Sequence, residues 1–299
     1  MNGFARWLQN NRLARIAAVL LTFLLPLTNV ISAAIVVMTT RSAGWRSAAL
    51  DIGACLGLLA GLVQLTNGEA GTAAPVTSVM GAGALWGGAV LGGSLLRRFQ
   101  SVDLAVQALV VLALLGLLAA GWAIPDPRAH WQPILEGLIR AAGLPQVSGL
   151  PAGWLGTVAA LIHGVIGASL LSTLVLALML ALWLDRDAPT AEWRRRFLEL
   201  RLGRVLSLAA WVAAVLLSVG FVSVGGGALL ILGTGFAAQG LAVIHWTADQ
   251  RRWPRIWPLV LYGPLLLGAP PAGLLLVGLA IAGLVDNGFG LRRRRPDVV

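Results

Sequence analysis

A few polar side chains fall inside the apolar stretches of this sequence, and they are the first candidates for chemistry. Gln239 and His163 lie in the interior of two such stretches, and His245 lies nearer the end of one. A polar side chain within a membrane-length apolar stretch suggests a functional site, because hydrocarbon does not solvate it. Gln239, His245 and His163 are therefore predicted as ligand-binding residues, although a lone histidine on a helix is more often a hydrogen-bonded packing residue than a ligand-binding one.

The sequence lacks the residue patterns of common catalytic and metal sites. Its three histidines are far apart, and its single cysteine, Cys55, lies inside an apolar stretch. This spacing matches no metal-ligand motif. No Walker, G-x-S-x-G or H-E-x-x-H motif is present. We therefore predict no catalytic residue, no metal and no cofactor, and we do not expect an enzyme.

Aspartates occur where apolar stretches end, and each has an arginine close by in sequence. The pairs are Asp51 with Arg46, Asp103 with Arg98, Asp249 with Arg251, and Asp286 with Arg292. Helix capping and ion pairing at the membrane surface explain such residues. A functional role for these carboxylates is the alternative.

The composition predicts that these residues are carried by membrane helices. The chain has 299 residues, of which 58% are hydrophobic and 11% are charged, whereas soluble domains are about 25% charged. The 22 basic residues are all arginine and give a formal net charge of +10. Because they cluster in short segments between apolar runs, they indicate membrane orientation and not nucleic-acid binding. We predict one integral-membrane domain over 1–299.

Eight apolar runs are candidate membrane segments, and they cover residues 13–40, 48–66, 75–96, 102–123, 154–184, 205–222, 227–248 and 256–286. If every run crosses once from an inside N-terminus, 13 of the 22 arginines fall outside, against the positive-inside tendency. If the first run is a hairpin broken at Pro26 and the last one broken at Pro270-Pro271, only Arg128 and Arg140 fall outside. The prediction is an all-α polytopic bundle of about 8–10 segments, multi-pass in a bacterial inner membrane, with both termini inside.

The four halves of the broken runs are short. At about 1.5 Å per residue, segments 13–26, 28–40, 256–268 and 271–286 reach only about 20 Å. The hydrocarbon core is about 30 Å thick. We expect these halves to be covered by protein, to thin the bilayer or to re-enter without crossing.

Two loops are long enough to carry structure of their own. In the outer loop 124–153, residues 131, 134, 135 and 138 are apolar at helical spacing, which predicts a short helix at the membrane surface. In the inner segment 190–204, Trp193, Phe197 and Leu200 form an apolar stripe flanked by arginines. It predicts an amphipathic helix that lies at the headgroups or docks a cytoplasmic partner.

Glycines repeat every four residues in the second and third runs. Gly53, Gly57 and Gly61 form one series in the second run, and the third run holds two pairs, Gly83 with Gly87 and Gly88 with Gly92. Small residues at this spacing let helix backbones approach closely in lipid. Packing within the chain is the favoured interpretation, and contact with another membrane subunit is the alternative.

The last third of the chain carries a family resemblance. The string from Gly235 to Trp246, GFAAQGLAVIHW, is followed by Tyr262, by GLVD ending at Asp286 and by a basic tail. This order resembles the YybS-like family, a set of bacterial membrane proteins of undefined function. The family is similar to the substrate-binding S components of energy-coupling-factor transporters, which typically have six helices. The resemblance implies small-molecule uptake, with Gln239 and His245 as the matching polar positions.

Two functions remain open from the sequence. The first is a small-molecule binding or transport subunit, for which Gln239 and His163 are expected to face a cavity between helices. The second is a structural or assembly protein that binds another membrane or cytoplasmic subunit through segment 190–204 or the glycines. In both cases the lipid bilayer is a partner and nucleic acid is not.

Overall fold

The computed structural model describes residues 3–25, 27–66, 73–143, 153–184 and 190–292. Over these ranges the regular structure is helical, with no strand, and a π-helical turn, Val222–Gly226, precedes one helix. The α-helices are α1 (Gly3–Asn10), α2 (Arg12–Leu24), α3 (Asn29–Ala43), α4 (Trp45–Thr66), α5 (Ala73–Phe99), α6 (Val102–Ala123), α7 (Pro127–Ala141), α8 (Trp154–Leu184), α9 (Thr190–Leu198), α10 (Gly203–Ser218), α11 (Gly227–Gln250), α12 (Trp257–Leu266) and α13 (Ala269–Phe289).

Six helices in the described ranges are long and apolar enough to cross a membrane. They lie in α4, α5, α6, α8, α11 with its π-helical turn, and α13, and each is at least 21 residues long. At about 1.5 Å per residue, that length covers a hydrocarbon core of about 30 Å. The predicted all-helical architecture is confirmed over the described ranges, and the six helices have the length and composition of a multi-pass membrane protein. The inward orientation of both termini stays a prediction.

The helices form two compact units. The first comprises Met1–Leu109 and Ser172–Leu200, and the second comprises Val110–Leu171 and Arg201–Val299. The divisions between them fall within α6, within α8 and between α9 and α10. A single membrane domain over 1–299 stays a prediction.

In the first unit, the first apolar run is broken into two helices as predicted. α2 ends at Leu24 and α3 begins at Asn29, while Pro26 lies outside the described residues. The Ser32 hydroxyl donates to the Val19 carbonyl oxygen at 2.8 Å, which ties the two helices together beside the break. α3 is then buried without interruption from Ser32 to Thr40, so it forms the centre of this unit.

In the second unit, the last apolar run is also broken, but the predicted position and lengths were wrong. The break lies at Leu267 and Gly268, where Gly268 has a φ of 104°, and Pro270 and Pro271 lie in the first turn of α13. Proline is tolerated there because the first backbone N–H groups of a helix have no partner within it. α13 therefore has 21 residues, enough to cross a membrane, whereas α12 has 10.

Both long loops contain a helix as predicted, but one of the two helices is shorter than predicted. The short helix predicted in 124–153 is present as α7, where the Asp126 side chain caps the Ala129 N–H at 3.1 Å. The helix predicted over 190–204 was too long, because α9 ends at Leu198. Leu200 is fully buried. Because burial of this apolar side chain is favourable, the chain leaves the amphipathic surface helix before this residue.

Candidate functional site

A buried polar network in the second unit is centred on the carboxylate of Asp286. We call it the Asp286 cluster, and it consists of Gln239, Asp286, Asn287 and Arg292. The fully buried Gln239 uses both ends of its amide. Its Oε1 accepts from the Leu202 backbone N–H at 2.9 Å, and its Nε2 donates to Asp286 Oδ2 at 2.9 Å. Gln239 thus links α11 to the start of α10 and to α13.

The charge of Asp286 is balanced by an arginine from just beyond the same helix. Arg292 donates to Asp286 Oδ2 from Nη2 at 2.6 Å and from Nε at 3.2 Å. Gly290 makes this possible, because its left-handed backbone, with a φ of 63°, ends α13 and lets the chain turn back. This confirms the predicted pairing of Asp286 with Arg292, although the pair is buried and not at the surface.

One oxygen of the Asp286 carboxylate remains open. Oδ1 is buried and has no hydrogen-bond partner among the described residues. The neighbouring Asn287 is instead fully engaged, since its Nδ2 donates to the Gly203 carbonyl oxygen at 2.6 Å and to Ser207 Oγ at 2.8 Å. In the Asp286 cluster, one acceptor, Asp286 Oδ1, is therefore left without a hydrogen-bond donor among the described residues.

Two glycines let α11 and α13 approach closely enough to form this cluster. A Cβ added to Gly240 would overlap the carbonyl oxygen of Leu279, and one added to Gly283 would overlap that of Phe236. Backbone atoms of the two helices are thus in direct contact, which only glycine permits. The same contact holds Gln239 and Asp286 within hydrogen-bonding range.

His245 lies on α11 with Gln239 but contacts different helices. Its Nδ1 lies 2.9 Å from the Leu241 carbonyl oxygen, so Nδ1 carries the proton and Nε2 accepts from the Tyr262 hydroxyl at 3.1 Å. Its ring packs edge-to-face on Trp257, with centroids 4.8 Å apart. His245 thus contacts α12, whereas Gln239 contacts α10 and α13, and the structure does not join the two predicted residues in one site.

His163 is also bonded within the chain. It is buried on α8, and its Nε2 accepts from the Trp131 indole N–H at 2.9 Å. This bond fixes α7 onto α8 within the second unit. The contacts of His245 and His163 match the packing interpretation of a lone histidine, and a ligand-binding role for Gln239, His245 and His163 stays a prediction.

In the first unit, the sequence suggested the wrong partner for Asp51. The carboxylate of Asp51 accepts from Arg12 Nε at 2.8 Å and from Arg15 Nε at 2.7 Å, both on α2 and not from Arg46. A cavity beside Arg15, Asp51 and Thr39 has room for about one water molecule. Because Arg12 and Arg15 are far from Asp51 in the sequence, the sequence prediction missed these ion pairs. Two arginines at the start of one apolar run and an aspartate at the start of the next were nevertheless a usable signal.

The two glycine series differ in what surrounds them. A Cβ added to Gly88 would lie 2.6 Å from Leu174 Cδ1, and one added to Gly92 would lie 3.0 Å from Leu178 Cδ2. Packing within the chain is therefore confirmed for these two, but not for Gly83 and Gly87 of the same helix, where an added Cβ would meet no atom within 4 Å. Gly53, Gly57 and Gly61 are exposed, and a Cβ added to any of them would meet no atom within 4 Å. For these three glycines the favoured interpretation was wrong, because no other part of the described chain covers that face of α4.

The apolar stripe of segment 190–204 is divided by the end of α9. Trp193 and Phe197 are half-buried on α9, whereas Leu200 lies beyond the helix and is fully buried. Leu200 is thus a core residue of the first unit. The docking of Trp193 and Phe197 on a partner stays a prediction.

No family model, no curated protein and no solved structure matches the chain. Its function is therefore inferred from the contacts described above.

Proposed function

We propose that this chain is a multi-pass membrane subunit that associates with another membrane protein through one face of α4. We call this surface the α4 glycine face, formed by Gly53, Gly57 and Gly61. The observation that carries the proposal is the open space over all three glycines, where a Cβ would meet nothing within 4 Å.

The position of this face in α4 supports a helix as its occupant. It lies within the candidate span Trp45–Leu65, and the chain carries no charge after Asp51 up to the end of α4. Within hydrocarbon, only a chain segment with its backbone hydrogen bonds satisfied internally can lie there, and for a single segment that is a helix. The occupant is therefore an apolar transmembrane helix of another subunit.

The shape of the face also favours a helix. Glycine at every fourth position leaves a shallow groove along α4, and Leu58 and Leu62 stand exposed beside it. A second helix can bring its backbone into such a groove and gain van der Waals contact that lipid chains provide less well. The alternation of a groove and a ridge gives the contact a defined register.

A leucine placed in the groove tests this proposal. Gly57→Leu should fill the groove and weaken recovery of the complex in mild detergent by at least about fivefold, because overpacking costs about 1–3 kcal/mol. Gly116→Leu is the matched control, since Gly116 is an open glycine of the span in α6. Isolation of the wild-type chain alone as a monomer, or equal effects of the two substitutions, would contradict the proposal.

A second candidate function is small-molecule binding or transport, and the open Oδ1 of Asp286 favours it. An ionised side chain buried among membrane helices is costly and is typically kept for function. The resemblance to the YybS-like family points the same way. In a proteoliposome binding and uptake screen, this candidate predicts that Gln239→Ala weakens any substrate signal. An unchanged signal in a variant that elutes as a folded, monodisperse protein would argue against it.

A further inference from the structure

The turn between α11 and α12 is rich in exposed arginine. Residues 251–256 are all exposed, and they include Arg251, Arg252 and Arg255. Asp249 is the acidic residue among positions 249–256. In the described parts of the chain, the side chains of these three arginines make no hydrogen bond or ion pair. With Asp249 included, positions 249–256 carry a net charge of +2, so the turn is a patch of positive charge.

The backbone of this turn is held in a defined shape. The Trp253 N–H donates to the Ala248 carbonyl oxygen at 3.0 Å, and the Arg251 N–H donates to that of Thr247 at 2.9 Å. Arg252 has a positive φ of 47°, which places it where the chain reverses after α11. The arginines are therefore presented from a fixed turn.

Aromatic rings form a platform directly beside the arginines. Trp253 packs edge-to-face on Trp257 with centroids 6.1 Å apart, and Trp257 packs in turn on His245. The Tyr262 hydroxyl bonds to the other side of His245. Trp253 is 41% exposed, so the platform is open to its surroundings. Tryptophan and tyrosine are enriched where membrane helices meet lipid headgroups.

The turn lies where headgroups are expected if α11 is inserted in a membrane. The candidate span Val222–Gln250 ends one residue before Arg251. On the other side of the turn, α12 exposes Leu259 and Val260, which are 65% and 73% accessible. Charge that can meet a phosphate is thus followed immediately by apolar surface that can meet an acyl chain.

We propose that Arg251, Arg252 and Arg255 bind the phosphate of an anionic phospholipid headgroup, with Trp253 packed beside it. Guanidinium groups match phosphate oxygens with paired hydrogen bonds. The exposed apolar side chains of α12 favour a lipid over a soluble phosphate, because they can contact an acyl chain but contribute nothing to the binding of a free anion. This site is separate from the α4 glycine face and depends only on membrane insertion of α11.

A fluorescent reporter in the turn tests this site in the full-length protein. Ile256→Cys, at a residue 62% exposed, is labelled with a polarity-sensitive dye, and the fully buried Cys55 is replaced by alanine throughout. The protein is reconstituted in phosphatidylcholine vesicles with increasing phosphatidylglycerol. The dye response should saturate with phosphatidylglycerol, and a single Arg252→Gln should weaken the apparent affinity by about fivefold.

Two controls distinguish a specific lipid site from a general charge effect and from binding of a soluble phosphate. Replacing all three arginines of the turn by glutamine should reduce the preference for phosphatidylglycerol by at least about tenfold. A second triple variant, Arg46, Arg194 and Arg195→Gln, removes the same charge from exposed positions of the first unit and should retain the preference. Soluble glycerol phosphate added to pure phosphatidylcholine vesicles should give no response.

Each of several results would overturn the proposal. Equal dye responses in phosphatidylcholine and phosphatidylglycerol would show that the turn does not recognise anionic lipid. Equal losses in the two triple variants would reduce the effect to overall charge. A full response to glycerol phosphate alone would assign the arginines to a soluble phosphate instead.

Discussion

Gly240→Ala should separate α11 from α13 and weaken the second unit. The added Cβ would overlap the carbonyl oxygen of Leu279, which is backbone and cannot rotate away. The helices must then move apart, and the hydrogen bond from Gln239 to Asp286 beside this contact must lengthen. Overpacking of this kind costs about 1–3 kcal/mol.

The matched control for this substitution lies on the same helix. Gly233→Ala also replaces a helical glycine of α11, but its Cβ would meet no atom within 4 Å. Both variants gain about 0.5–1 kcal/mol of helix stability because alanine loses less backbone entropy than glycine. Since that gain is common to both, the difference between them isolates the clash, at about 1–3 kcal/mol.

Unfolding in sodium dodecyl sulfate, followed by circular dichroism, measures the two variants against the wild-type protein. We expect Gly233→Ala to unfold at higher detergent fraction than the wild type, and Gly240→Ala to unfold well before Gly233→Ala. If the two variants had the same stability, α11 and α13 would not be in backbone contact at Gly240. The close helix contact that holds Gln239 and Asp286 within hydrogen-bonding range would then be absent.

Three further predictions concern buried side chains and use the same unfolding assay. Asp286→Leu leaves the guanidinium of Arg292 buried without its carboxylate and should cost about 3–5 kcal/mol, while adding Arg292→Leu should recover most of that loss. Trp86→Phe removes the indole donor to Ser32 Oγ, a bond of 2.9 Å, and should cost about 1–3 kcal/mol. Leu200→Ala truncates a fully buried side chain and should cost about 2–5 kcal/mol. An unaffected Leu200→Ala variant would return that residue to the surface role that its sequence pattern suggested.

The helical elements were largely predictable because apolar length and proline have direct physical consequences. α6 and α8 match the predicted runs at both ends. The break near Pro26 was also predicted correctly, since an internal proline removes a backbone donor and clashes with the preceding turn, which favours a break. The prediction of a break at Pro270-Pro271 was wrong because proline is also tolerated in the first turn of a helix. The sequence alone does not distinguish a proline that breaks a helix from one that begins it.

The contacts of the polar residues were much less predictable. Gln239 was identified as unusual, but its bonds to Asp286 and Leu202 join residues far apart in the chain. Spacing along one helix contains no information about which other helix lies opposite. The same reason explains why Gly57 and Gly88 looked alike in the sequence, although one is open and the other is packed against Leu174.

Photo-crosslinking in intact membranes tests the proposed α4 glycine face most directly. A photoreactive amino acid is placed at Leu58, which is 55% exposed beside Gly57, and separately at Leu115 on α6, which is 57% exposed. We predict a discrete protein adduct from position 58 that disappears when Gly57→Leu is added, and only lipid adducts from position 115. Lipid adducts alone from both positions would contradict the proposal that α4 binds another subunit.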